Sequence, residues 1–242
     1  MRALNIKEHK TNLTNILIEI YKDATLGSVL GFKGGTAAKL FYDLPRFSVD
    51  LDFDLIADYK EGSKELESFV GNMTDLLSKK YMLKDQSVKY NTLFWLVSYG
   101  KGLANIKVEV STRDTSLNHY SLKPFYGVSV KVMDVGDMVA HKMIALMERN
   151  IMANRDLFDV HYFLSTSYVN EINYEIIKDR TGKDPIGFYK DLYNFVDNIN
   201  SSTVLNGLGE VLDRSQKDWM KAKLKTELLG LIERQIEVLD NN

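Results

Sequence analysis

Asp50, Asp52 and Asp54 alternate with Val49, Leu51, Phe53 and Leu55. A period of two predicts a strand with carboxylates on one face and apolar side chains on the other. Asp has low strand propensity. Like charges about 7 Å apart on one face also repel, so a countercharge must offset them. A divalent metal is the usual answer, and hard carboxylate oxygens suit Mg²⁺, with Mn²⁺ as a substitute. A solvated strand at a sheet edge is the plainer alternative. The run is not an EF-hand loop: Leu51 and Phe53 interrupt it, and Leu55 stands where that loop needs glycine for its sharp turn.

A second chemical feature lies just upstream. Val29-Leu30-Gly31-Phe32 is a short apolar run, Lys33-Gly34-Gly35-Thr36 follows, and Ala37 to Tyr42 reads as helix. A strand, a Gly-Gly turn and a helix N-terminus leave backbone N–H groups free for a phosphate. Thr36 is expected to cap that helix or to offer its hydroxyl to the phosphate. A tight turn with no ligand is the alternative, and the glycine spacing matches neither a P-loop nor a dinucleotide fingerprint. Turn and aspartates together describe a site for a nucleoside triphosphate and its metal ions.

Two-metal phosphoryl transfer usually needs a third acid. In Ile106 to Ser111, Ile106, Val108 and Val110 form one face while Lys107, Glu109 and Ser111 form the other. Glu109 is therefore the candidate third metal ligand, against an ordinary charged strand face. Asp54 is the other contender. It lies about 7 Å further along the strand than Asp52, so a supporting role suits it better than ligation.

The elements that position these residues follow from periodicity. Leu13, Ile16, Leu17, Ile20 and Tyr21 predict an amphipathic helix over 7–24. A second long helix is expected over 61–81, then strands over 82–90, 93–99, 106–111 and 128–133, with turns at 90–92 and 100–102. Beyond that the chain reads as helical: 135–149, begun by Asp134 and Asp137, then 154–166, 171–180, 185–199 and 216–238. The expected architecture is α+β. A mixed sheet with flanking helices (residues 1–133) is followed by a helical bundle (134–242).

Composition narrows the class. The chain has 242 residues and 45% hydrophobic residues, enough to bury a sizeable core. It has no cysteine, which excludes disulfides and thiolate metal sites. No apolar run approaches a membrane span, and MRALNIKEHK lacks a signal-peptide core, so a cytoplasmic protein without a membrane partner is expected. A net charge of −2 argues against broad, nonspecific nucleic-acid binding but permits a local basic patch. The densest is Lys217, Lys221, Lys223 and Lys225, of which the first, second and fourth share a helical face.

Gly34-Gly35-Thr36 with Asp50-Leu51-Asp52 resembles the signature of the polymerase-β-type nucleotidyltransferases. The fuller KGGTAAKLFYDLPRFSVDLDF, with Arg46-Phe47-Ser48 before the aspartates, resembles one branch, the AbiEii/AbiGii toxins of abortive-infection and toxin–antitoxin systems. His141-Lys142-Met143-Ile144-Ala145-Leu146 and Asn154-Arg155-Asp156-Leu157-Phe158-Asp159 are similar to that family's lysine helix and its Arg-Asp-x-x-Asp element. The resemblance covers roughly residues 28–165 and leaves the C-terminal third unmatched.

It implies an NTP substrate, a nucleotidyl group passed to an acceptor hydroxyl such as that of tRNA, and a neighbouring antitoxin. Asp50 and Asp52 would hold the metals. Glu109 would join them and favour the deprotonated acceptor, and Gly34, Gly35 and Thr36 would hold phosphates. Periodicity alone makes Lys142 a solvated lysine on an amphipathic helix; the resemblance makes it a phosphate clamp, with Asp156 orienting Lys142 or Arg155. His141 and His161 are not required by this chemistry. A small-molecule nucleotidyltransferase of the antibiotic-modifying kind is one alternative. A non-catalytic nucleotide-binding protein of the same fold is the other, against which the full carboxylate set argues.

Overall fold

The computed structural model describes residues 5–148, 154–200, 205 and 212–241. The chain divides into two compact units. One comprises Met1–Asp43 and Ser48–Met133, the other Leu44–Phe47 and Asp134–Asn242. Among the described residues, no helix is long and apolar enough to cross a membrane.

The first unit opens with α1 (Ile6–Lys22), whose Leu13, Ile16, Leu17 and Ile20 are buried. The expected single helix over 7–24 is broken at Asp23. This residue ends α1 and accepts hydrogen bonds from Thr25 and Leu26 N–H, starting α2 (Ala24–Val29). There follow β1 (Leu30–Lys33), α3 (Gly34–Phe41), β2 (Leu51–Leu55), α4 (Lys64–Ser78), β3 (Met82–Lys89), β4 (Thr92–Ser98) and β5 (Asn105–Ser111). The hairpin β6 (Tyr120–Phe125) and β7 (Val128–Met133) completes the unit.

The strands form one mixed sheet in the order β3-β4-β5-β2-β1-β7-β6. β2 runs antiparallel to β1 and parallel to β5, so the aspartate strand is central, between the glycine strand and the Glu109 strand. Its apolar face is sealed: Phe32 and Phe53 are fully buried with ring centroids 5.2 Å apart. Burial of each such ring stabilises the fold by about 1.5–3 kcal/mol. Trp95 on β4 is also buried and donates to Thr74 on α4 (2.9 Å).

Strand β6 is absent from the sequence expectation. Pro124 weakens a strand signal, and a proline-containing strand is tolerated at a sheet edge, where β6 lies. Its tight turn, Tyr126-Gly127, takes positive φ at both residues, the hairpin geometry that suits strand twist.

The second unit is helical: α5 (Val135–Glu148), α6 (Asn154–Leu164), a 3₁₀ turn (Ser167–Glu171), α7 (Tyr174–Thr181) and α8 (Pro185–Asp197). Then come α9 (Arg214–Trp219), a π-helical turn (Met220–Leu224) and α10 (Lys225–Asp240). Arg149, the expected end of α5, lies outside the described residues. Asp137 accepts a hydrogen bond from Asn173 (2.7 Å), which fastens the start of α5 to the start of α7. Phe163, Phe188, Tyr189, Leu192, Leu228 and Ile232 make the core of this unit.

Candidate active site

Strand register decides which acids meet. Asp52 pairs with Lys33 across β1–β2 and with Glu109 across β2–β5. Residues opposite in register share a sheet face, so Lys33, Asp52 and Glu109 form one row across three strands. Glu109 is half-buried, and among the described residues no hydrogen bond or ion pair engages its carboxylate.

The glycine turn presses against this row. Gly34 has φ +78°, which L side chains rarely adopt, and a Cβ there would run into the Asp52 carboxylate. Glycine is therefore needed twice at this position, for backbone conformation and for contact. Helix α3 begins at Gly34, three residues before the expected start, and no side chain caps it. Its first backbone N–H groups thus lack intrahelical partners beside Asp52.

Thr36 does not take its expected part. It is 2% exposed, and its hydroxyl donates to the Asp50 carbonyl (2.5 Å), bracing the aspartate segment against α3 instead of capping. His9, which belongs to no sequence motif, braces the same segment. It is 1% exposed, its Nε2 donates to the Val49 carbonyl (2.9 Å), and its Nδ1 lies 3.0 Å from the Tyr99 hydroxyl. Donation to a carbonyl fixes the tautomer, so Nδ1 accepts from Tyr99.

The three aspartates have different surroundings. Asp50 precedes β2 and lies 3.6 Å from Lys107 Nζ. Asp52 faces Gly34 and Glu109. Asp54 is 2% exposed and occupied on both oxygens: Lys33 Nζ at 2.6 Å on one, Tyr120 hydroxyl at 2.7 Å and Asn118 amide at 3.4 Å on the other. Asp54 thus holds Lys33, Tyr120 and Asn118 together. Gly31, its register partner, leaves the space that the Tyr120 ring fills.

Among the described residues no three Asp, Glu or His side chains converge as a ready metal cage. Asp52 and Glu109 are aligned in register, and Asp50, two residues before Asp52, lies 3.6 Å from Lys107. All three are hard oxygen donors, so the donor chemistry fits a divalent cation such as Mg²⁺.

The second cluster lies wholly within the helical unit. Lys142 on α5 is 2.9 Å from Asp156 and 2.8 Å from Asp159 on α6, and its side chain is 15% exposed. Asp159, fully buried, also takes a two-pronged hydrogen bond from Arg46 (Nε 2.5 Å, Nη2 2.6 Å). The reading of Lys142 as a solvated lysine is therefore overturned: its charge is balanced inside the protein. Asp156 pairs with Lys142.

Burial depresses the Lys142 pKa, but Asp159 and Asp156 more than reverse this and leave it above its ordinary value. Burial raises the Asp159 pKa, yet Lys142 and Arg46 pull it below the usual carboxylate range. Lys225, the fourth lysine of the expected cluster, donates through Nζ to the carbonyls of Asp197 and Ile199 at the end of α8.

A Gly-Gly turn opening a helix, an Asp-x-Asp strand and a third carboxylate on the adjacent parallel strand make this a nucleotidyltransferase-type fold. Two solved structures share it. One is a candidate nucleotidyltransferase from H. pylori (20% identity, TM-score 0.64, 97% of this chain and 96% of that one). The other is JHP933 from Helicobacter pylori (20% identity, TM-score 0.57, 99% of each chain). No curated protein matches the chain. The sequence profile of the nucleotidyl transferase AbiEii toxin family, type IV toxin–antitoxin system, matches residues 16–222, and the chain belongs to that family. The match reaches well into the C-terminal helices, where no motif was legible.

Proposed function

We propose that this chain is a cytoplasmic, Mg²⁺-dependent nucleotidyltransferase that passes a nucleotidyl group from an NTP to a hydroxyl of RNA, with tRNA as the acceptor class. Family membership supports a transferase with an antitoxin counterpart. The observation that carries the site assignment is Asp52 lying between Gly34 and Glu109.

In this reading Asp50, Asp52 and Glu109 would hold the divalent metal, which would supply neutralisation of phosphate charge and favour the deprotonated acceptor. The protein's own contribution is positioning. Thr36 and His9 fix the backbone that carries Asp50, and Gly34 allows α3 to approach Asp52 closely. The backbone N–H groups of Gly34, Gly35 and Thr36 face the β- and γ-phosphates. Glu109, on the strand beyond Asp52, is assigned the acceptor side. The acceptor hydroxyl attacks the α-phosphorus, and pyrophosphate leaves on the opposite side. Lys142 and Asp156 enter as a charge-supplying pair through the family motif alone.

The test is incubation with each labelled NTP, Mg²⁺ and total RNA, beside the Asp52→Ala variant. Label on tRNA with wild type and none with Asp52→Ala is expected, with both proteins folded. Near wild-type transfer by Asp52→Ala at saturating Mg²⁺ would sink the site assignment. Label on a small hydroxylated molecule but on no RNA would replace the RNA acceptor.

A further inference from the structure

Lys33 is the one member of the Lys33–Asp52–Glu109 row that has no part in the mechanism above. It is the last residue of β1, and Gly34, which opens α3, follows it directly. Its ammonium is held at 2.6 Å by Asp54, whose second oxygen accepts from Tyr120 (2.7 Å) and Asn118 (3.4 Å). Tyr120 is seated over Gly31, where any Cβ would collide with its ring. The whole arrangement lies within the sheet unit and draws on β1, β2, β6 and the residue two before β6.

The two ends of this arrangement differ in exposure. Asp54 is 2% exposed, whereas the Lys33 side chain is 29% exposed. Tyr120 and Asn118 satisfy the second oxygen of this buried carboxylate. Those partners fix Asp54 in place, and Asp54 in turn fixes the ammonium. Asp54 takes one of the three ammonium donors and leaves two for an incoming anion. The anion at this spot would be a polyphosphate, because the neighbouring helix start supplies backbone N–H groups that also favour negative charge.

We propose that Lys33 contacts the β- or γ-phosphate of the bound nucleotide and that Asp54 and Tyr120 hold it ready to do so. The proposal rests on the nucleotidyltransferase reading and assigns to that site a cation from its own sheet.

The test is calorimetric titration of the full chain with a non-hydrolysable NTP analogue and with the corresponding NMP, in Mg²⁺. Wild type should prefer the triphosphate. Lys33→Gln should weaken triphosphate binding by roughly 10–100-fold, the size of a charged hydrogen-bond contribution, while NMP binding stays within about twofold. Lys33→Gln leaves Asp54 buried without its partner, so the double variant Lys33→Gln/Asp54→Asn is measured beside it. An Asn–Gln hydrogen bond can replace the ion pair, so the double variant should regain stability and still lack the triphosphate preference. Tyr120→Phe should show a smaller loss of the same preference. Recovery of both stability and preference in the double variant would overturn the proposal and reduce Lys33 to a countercharge. A wild type that binds triphosphate no better than monophosphate would overturn the nucleotidyltransferase reading instead.

Discussion

Replacing Lys142 with Met should destabilise the protein substantially, against what its helical pattern alone suggests. The cluster holds two cations, Arg46 and Lys142, and two anions, Asp156 and Asp159. Lys142→Met leaves two carboxylates, both at most 3% exposed, with one guanidinium, which is held by Asp159. Breaking a buried ion pair by removing one partner typically costs about 3–5 kcal/mol. Arg46 keeps its two-pronged hold on Asp159, so the lower end, about 3 kcal/mol, is expected here. In a chain of this size that corresponds to a melting temperature lower by roughly 6–12 °C. The charge-balanced double variant Lys142→Met/Asp156→Asn should be less destabilised than the sum of its singles by about 1–3 kcal/mol.

Urea unfolding followed by circular dichroism measures all three variants, and pH supplies an independent check. Asp159 has a depressed pKa in the folded state, so its stabilisation is present above the unfolded value of 3.8 and is lost as pH falls through the folded value. Lys142 has a raised pKa, so its stabilisation is present below the unfolded value of 10.5 and is lost as pH rises through the folded value. The stability gap between wild type and Lys142→Met should therefore be flat near neutrality. It should shrink in strong acid as Asp159 protonates and again in strong base as Lys142 deprotonates. A gap below about 1 kcal/mol at pH 7 would refute the reasoning and return Lys142 to the solvated class.

Gly34→Ala should abolish nucleotidyl transfer and cost about 1–3 kcal/mol of stability, since positive φ and the Asp52 contact both exclude a side chain; turnover beside a melting curve checks it. Glu109→Gln should lower kcat by orders of magnitude, whereas Glu109→Asp, which keeps the charge but shortens the reach, should lose less; equal and mild losses would remove Glu109 from the site. If tRNA is the acceptor, the salt dependence of its affinity should flatten when Lys217, Lys221 and Lys223 are replaced by Gln, read from binding titrations at several ionic strengths. An unchanged slope would clear that helix of RNA contact.

Much of the first unit was legible because its signals are local. A period of two marked β2 and β5, a continuous apolar run marked β4, and the glycine pair marked the turn into α3. The same period predicted that the three aspartates share a face, but it carried no information about their partners. Register supplies that information, and register comes from the pairing of strands far apart in sequence. Asp52 meets Glu109 because β2 lies beside β5, and Asp54 meets Tyr120 because β6 folds back onto β7 next to β1. His9 escaped notice for the same reason, since a histidine on a helix face gives no local hint that it will hold the Val49 carbonyl 40 residues away.

Lys142 is the sharpest instance. Helical periodicity sorts residues by face, and it assigns a lysine to water by default. The default fails here because Asp156 and Asp159, one turn apart on α6, place two carboxylates against a single ammonium. Arg46, 113 residues before Asp159, completes the balance from a short segment that packs with the helical unit although the sheet residues flank it on both sides. Arg46, Lys142 of the lysine helix and the two aspartates of the Arg-Asp-x-x-Asp element are thus parts of one ion cluster. No part carries a physical signal alone, because a buried charge is tolerable only with its partner present.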